Sequence, residues 1–368
     1  MERNYAIDYL KCYAIFFVIL IHTQPFNNIT VLGVDGYYVD FVLDTLARFG
    51  VPFFFVASGF LFGQKLQSHS QEAEYFSRYL TKLAKIFGSW FLFYLVYDLT
   101  VKVLFHDFNL FSLEEMAQYV QTTVSLDVFF YGRSNAYQLW YLVALMWSIF
   151  ILFIFLSLKK LNTLLVLSFS LNIVGLFSQS YSGFLDLPLP TRDGIFFGLF
   201  YTTLGCYMAM NHHLIKQWVS KINPKMFFIL FLAFSVLQLL ERGVTAFMYD
   251  GKNGEYFLTT IPLTVSLFLF ALSKPTLGKG SVISHIGKNA VGIYVIHVFY
   301  IKSFHLVVDT LDLGAIKETV IWHVLFSPLI FIVSYVSYNQ LQKWKLEAKK
   351  RLSNIQTKSK VSLGNWQD

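Results

Sequence analysis

Charge is what this chain most lacks. Only 14% of its 368 residues are Asp, Glu, Lys or Arg, where a soluble domain carries about a quarter. Hydrophobic residues make up 55% and aromatic residues 19%, and the mean hydropathy is +0.53. So much apolar surface cannot be hidden inside one water-facing globule, and lipid is the expected solvent. Cysteine is also scarce. Cys12 and Cys206 both fall within apolar stretches, which excludes a disulfide framework and any Cys/His metal spacing. No internal repeat and no separate soluble domain are apparent.

What the chain does have is ten long apolar runs, near residues 6–26, 46–64, 83–105, 139–158, 161–180, 195–211, 225–241, 257–273, 286–304 and 320–341. Each is close to the roughly 20 residues that carry a helix across a bilayer core. Strands of a membrane barrel would be about half as long and would alternate polar with apolar, which these runs do not. The first run is not expected to be a cleaved signal, because it contains Asp8 and Lys11 and many further spans follow. The expected fold is therefore all-α: a polytopic membrane protein of about ten transmembrane helices. Residues 1–342 form one membrane domain and 343–368 a basic tail.

Orientation follows from where the cations fall. With a cytoplasmic N-terminus, the inside segments hold 21 of the 29 Lys and Arg but only 6 of the 22 Asp and Glu. That asymmetry places both termini in the cytoplasm. It also disposes of nucleic acid as the partner of a chain with net charge +7. The tail with Lys349, Lys350 and Arg351 reads instead as an anchor beside anionic membrane lipid. The long outside segment near 106–138 has room for a short interfacial helix.

Ionisable groups inside a span are costly, by about 2.5–3.5 kcal/mol on a lenient scale, so each needs a reason. Lys11 and His22 are eleven positions apart and return to nearly the same helix face, about 16 Å along the axis. Asp8 is three residues before Lys11, within reach of an ion pair. Lys11 also reads as a snorkelling headgroup anchor, and His22 as a satisfied interfacial histidine. The sharper reading makes His22 a general base, since imidazole titrates near neutral pH. Arg48, Arg192 and the pair Glu241–Arg242 end spans at the same outer level. Singly they are headgroup anchors; with His22 they make a charged site. Arg78, Lys82 and Lys85 share one face on the inner side, as positive-inside charges or as a cradle for phosphates.

Several segments in order resemble the membrane acyltransferase-3 family. Lys11, ten residues and His22 match its Arg, ten residues, His. The run Val51-Pro52-Phe53-Phe54-Phe55-Val56-Ala57-Ser58-Gly59-Phe60-Leu61 is similar to its second span. Leu139-Trp140-Tyr141-Leu142, then Thr191-Arg192-Asp193-Gly194 with Gly205, and Ile293-Tyr294-Val295-Ile296-His297 resemble later landmarks. The resemblance covers nearly the whole chain. It implies an integral membrane O-acyltransferase of a bacterial cytoplasmic membrane. Such an enzyme moves an acyl group, most often acetyl, from cytoplasmic acyl-CoA to a hydroxyl of an extracytoplasmic glycan or lipid-linked sugar, with glycan-biosynthesis proteins as conceivable partners.

Carried over by position, His22 would be the catalytic base. Beside it Glu241 is expected to orient His22 or the acceptor sugar, and Arg192 or Arg48 to stabilise the oxyanion or grip an acidic acceptor. Lys11, Arg78, Lys82 and Lys85 would receive the acyl-CoA co-substrate, with no permanently bound cofactor and no metal. Trp140 and Tyr141 would pack the interface or stack on a sugar. His297 would line the channel or sit buried in a hydrogen bond. Ser58 is expected to permit close helix packing rather than to act as a nucleophile. Lys11 and Lys85 stand where the family has arginine, keeping the charge but losing the planar fork. The competing class is a transporter or flippase of a small solute or envelope precursor, although no paired broken spans or inverted halves support it. A membrane anchor or sensor without catalysis is a third.

Overall fold

The computed structural model describes residues 3–26, 29–105, 113–132 and 136–364, the side chains of 105, 113 and 352–364 excepted. Helix dominates, as the apolar runs require. Asn4 opens α1 (Tyr5–Thr23) by accepting the Ile7 N–H at 3.3 Å. A small hairpin, Thr30–Val31 against Val34–Asp35, leads into α2 (Gly36–Ala47) and α3 (Gly50–Gln67). Then come α4 (Glu72–Phe105), α5 (Leu113–Thr123), α6 (Leu126–Tyr131), α7 (Trp140–Ser157) and α8 (Leu161–Leu176). A π-helical turn at Gly194–Gly198 precedes α9 (Leu199–Met210) and α10 (His212–Val219). The chain closes with α11 (Pro224–Phe247), α12 (Thr260–Ser273), α13 (Val282–Lys288), α14 (Ala290–Thr310) and α15 (Val320–Gly364).

Seven helical stretches among the described residues are long and apolar enough to cross a membrane. Three shorter apolar stretches, Leu161–Leu176, Gly194–Met210 and Thr260–Ser273, accompany them. Together they fall on the ten apolar runs of the sequence. Helix begins early at two runs, at Gly36, ten residues before the second, and at Glu72, eleven before the third; the second is the less expected. Asp40 and Asp44 make that stretch look like a polar loop, but both are buried: Asp40 accepts the Phe26 N–H at 2.9 Å and Asp44 pairs with arginines. Two short helices, α5 and α6, occupy the segment expected to hold an interfacial helix; residues 106–112 of it lie outside the described residues. Helix α15 runs on through the basic tail as far as Gly364.

Helix α1 is central, packing against α3, α13, α14 and α15. Helices α3 and α9 meet closely. A Cβ at Gly59 would sit 1.9 Å from the Thr202 carbonyl oxygen, and one at Gly205 would sit 2.0 Å from that of Val56. Neighbouring backbones meet this closely only where side chains are absent. Ser58, beside Gly59, bonds the Tyr141 hydroxyl at 3.2 Å. Gly59→Ala is therefore expected to cost about 1–3 kcal/mol through overpacking. A melting curve in detergent that matches wild type would show that the two helices have room to part.

Candidate functional site

The end of α1 sets the stage. Gln24 adopts the left-handed conformation at φ 39°, its N–H bonds Leu20 O at 3.2 Å, and Pro25 follows. The helix thus stops one residue after His22, whose ring faces a cavity of about 280 Å³. The ring lies between Tyr137, at 4.9 Å between centroids, and His297, stacked at 5.3 Å and 22°. No protein hydrogen bond to either His22 nitrogen is found among the described residues. His297 is fixed from behind: its Nδ1–H donates to Tyr294 O at 2.6 Å, and its buried Nε2 has no partner among the described residues.

Alternating charges line the far wall. Arg242 donates to Asp44 at 2.5 Å, and Asp44 receives Arg48 through both Oδ atoms at 2.8–2.9 Å. Arg48 pairs in turn with Glu255, whose other oxygen takes Arg192 at 2.6 Å. Three guanidinium groups thus share two carboxylates, leaving one positive charge over. Burial alone pushes the Glu255 carboxyl up, but Arg48 and Arg192 outweigh it and hold the pKa at about 2. Glu255 is accordingly ionised at neutral pH.

Arg192 is placed by an unusual stretch of backbone. Asp193 accepts the N–H groups of Ile195 and Phe196 at 2.9 and 2.8 Å. Gly198 N–H reaches Asp193 O at 2.9 Å, closing the π turn; such turns are frequent at functional sites. Thr191, on the other side, donates to Gly175 O at 3.0 Å. Held between these anchors, the Arg192 guanidinium lies 4.7 Å over the Trp140 ring. Glu255 is steadied by its own N–H, which donates to Gln179 Oε1 at 3.0 Å.

The structure thus brings together His22, Arg48, Arg192, Trp140 and, behind His22, His297. It does not bring Glu241 there. That carboxylate accepts the Tyr181 hydroxyl at 2.8 Å, Leu258 N–H at 2.7 Å, Thr259 N–H at 2.9 Å and the Thr259 hydroxyl, tying α11 to the loop before α12. Tyr141 is buried against Phe55 and Ser58 and does not line the cavity. Lys11 pairs with Asp8 at 3.5 Å, as the spacing indicates, and lines neither the His22 cavity nor the basic one described next.

Arg78, Lys82 and Lys85 line a separate cavity of about 650 Å³ toward the opposite end of the helices, joined there by Lys345 from α15. Consecutive residues of α14 line the two cavities, Tyr294 the first and Val295 the second. The septum between them is polar. The Tyr94 hydroxyl donates to Val295 O at 2.8 Å and accepts Phe299 N–H at 3.0 Å, serving the two ends of one turn of α14. Gln138 accepts the Tyr294 hydroxyl on its backbone carbonyl oxygen, and its buried side-chain Oε1 has no partner among the described residues.

A profile of the acyltransferase-3 family, described as an acyltransferase domain, matches residues 4–339. The chain belongs to that family. Two curated relatives, both amino-acid racemases of Enterococcus faecalis, are also similar. One is 26% identical over 56% of this chain and 28% of its own length. The other is 24% identical over 95% of this chain and 48% of its own. The chain thus spans about half or less of the curated relatives it matches, and no solved structure matches it.

For a membrane acyltransferase of this family, the residues that sequence reasoning misses are Glu255, Asp44, Tyr137, Gln138 and Tyr294. Glu255 and Asp44 lie in polar stretches that read as ordinary turns, and only the fold carries them to the arginines. The spacing Asp44–Arg48 was the one available signal, four residues apart and so on one helix face.

Proposed function

We propose that this chain moves an acyl group, acetyl as the first candidate, from acyl-CoA to a hydroxyl of an extracytoplasmic glycan or lipid-linked sugar, with His22 as general base. The observation that carries the reading is that neighbouring residues of α14, Tyr294 and Val295, line two cavities, one holding an imidazole without a hydrogen bond among the described residues and the other a cluster of cations. The bias of Lys and Arg along the sequence supports a cytoplasmic side for the cationic cavity and both termini, and the membrane in this reading is the cytoplasmic membrane of a bacterium. Acyl-CoA is then a co-substrate, its phosphates beside Arg78, Lys82, Lys85 and Lys345. Its slim thioester arm passes Val295 and Gln138 to reach His22.

The acceptor hydroxyl enters past Trp140 and Arg192. His22 takes its proton as the oxygen attacks the thioester carbonyl, the C–O bond forms, the C–S bond breaks, and the departing thiolate receives the proton. Arg192, the most exposed of the three guanidiniums, is the donor for the developing oxyanion or an anionic acceptor. Glu255 takes the orienting part that sequence position gave to Glu241: it holds Arg48 and Arg192 in place. His297 backs the His22 ring. The acceptor is captured by this chain itself or passed on by glycan-biosynthesis proteins.

The test is purified protein with acetyl-CoA and an extract of host envelope glycans, with free CoA and glycan-linked acetate followed together. Both should rise in step. No CoA release with any acyl-CoA, from protein shown to be folded, would move the reading to a transporter. The donor site has its own test. Replacing Lys82 and Lys85 together by Gln should raise KM for acyl-CoA about tenfold, by loss of charge-assisted bonds, and leave kcat in place. An unchanged KM would put the nucleotide elsewhere.

A further inference from the structure

Tyr94 of α4 is buried and lines neither the His22 cavity nor the cationic one. Its hydroxyl nevertheless holds the stretch of α14 that backs the reaction. Val295 O and Phe299 N–H, four residues apart, are the pair that one helical hydrogen bond joins. The Tyr94 hydroxyl bonds both, donating to the first at 2.8 Å and accepting from the second at 3.0 Å. A side chain that enters a helix ladder in this way bends or opens it. Val295 O also takes Gln138 Nε2 at 3.4 Å, so two side chains from outside α14 draw on this one carbonyl.

The turn so held is the one that carries His297. That residue lies midway between Val295 and Phe299, its ring stacked on His22 at 5.3 Å. Tyr294, just before the turn, accepts the His297 Nδ1–H, lines the His22 cavity and bonds Gln138 O through its hydroxyl. A change in the pitch of the turn therefore moves the ring against which His22 rests.

The two helices do not need the Tyr94 hydroxyl to stay together. One turn along α4, Asp98 receives Lys302 of α14 on both oxygens, at 3.0 and 3.3 Å, and the Tyr119 hydroxyl at 3.2 Å. The Phe299 ring packs on Phe93 and Tyr97 at 5.3 and 5.2 Å between centroids. The Tyr97 hydroxyl bonds that of Ser303 at 3.1 Å. What the Tyr94 hydroxyl adds is the shape of a single turn.

We propose that Tyr94 is a positioning residue for acyl transfer. Its hydroxyl sets the pitch of the turn from Val295 to Phe299 and, through His297, the attitude of the His22 ring toward the acceptor hydroxyl. This rests on the acyl-transfer reading with His22 as base.

Tyr94→Phe keeps the ring and removes one atom. The two backbone groups can then bond each other, so the melting temperature in detergent should stay at the wild-type level. Acetyl transfer should nevertheless fall about tenfold or more in kcat, as a small misplacement of a reacting group does, with KM for acetyl-CoA unchanged. A purely structural residue would show the reverse, a lower Tm with wild-type kcat per folded molecule. That result overturns the proposal, and so does wild-type behaviour in both. In a His297→Phe background, adding Tyr94→Phe should cost far less than it does alone, because the two act in series. Fully additive losses overturn the route through His297.

A further readout needs no turnover. Valine precedes phenylalanine twice in the chain, at Val128–Phe129 and Val298–Phe299. Protein with carbon-13 at the valine carbonyl and nitrogen-15 in phenylalanine therefore gives two correlated amide signals. Tyr94→Phe should move the Phe299 signal, as its N–H changes acceptor, and leave that of Phe129 in place. An unmoved Phe299 signal overturns the proposal. A moved signal in protein that releases no CoA from any acyl-CoA would uphold the hold on the turn while sinking the acyl-transfer reading.

Discussion

His22→Ala is expected to lower acyl transfer by about 10²–10⁴-fold, the usual worth of a positioned general base, while insertion and abundance stay at the wild-type level. The imidazole makes no hydrogen bond among the described residues that folding would lose. Its removal deletes ring contacts with Tyr137 and His297 at the end of a helix otherwise anchored by its buried face. His22→Gln, which nearly fills the space but carries no titratable proton, should be as inactive. CoA release and acetylated glycan measured on both variants decide the matter. Activity retained in either would remove His22 from the chemistry and leave His297, whose buried Nε2 has no partner among the described residues, as the imidazole to examine.

The largest effect on stability is expected at Asp44. Its carboxylate is buried and receives both Arg48 and Arg242. Asp44→Ala would leave Arg242 with only the Thr45 hydroxyl and Phe41 O, and Arg48 with Glu255 alone. An uncompensated buried charge of this kind costs about 3–5 kcal/mol. A large fall in Tm in detergent should therefore accompany the change. Asp44→Asn combined with Arg242→Gln, which removes one charge of each sign, should recover part of it, as coupled neighbours do. If Asp44→Ala melts like wild type, water must reach the arginines freely, and the cluster then holds nothing together.

The sequence announces the spans because lipid enforces long apolar runs whatever the fold. It announces His22, Arg48 and Arg192 for the same reason, since a charged or titratable group at a span's end is conspicuous. The choice of Glu241 over Glu255 shows where that logic stops. Glu241 ends an apolar helix beside Arg242 and looks like the natural partner of a membrane site. Yet Leu258 and Thr259, folding back in the next loop, absorb it. Glu255 sits in a Gly-rich turn, and its importance arises only when Gln179 and two arginines remote in sequence close on it. Helix α2 escaped notice by the same mechanism, its two aspartates being hidden by partners remote in sequence.

The charged chain at the site also bears on how the protein is made. Asp44 and Arg48 are neighbours on consecutive turns and neutralise each other before any later helix exists. Ribosomal synthesis then adds almost two hundred residues before Arg242 emerges, and Glu255 follows it. A nascent chain carrying Arg48 alone would present the insertion machinery with a bare cation, whereas this one presents a local pair, which eases the early step. Arg242 reaches the bilayer later, inside an apolar helix, and finds a carboxylate already waiting. The order of residues along the chain thus spares Arg48 and Arg242 a long solitary stay in lipid during assembly.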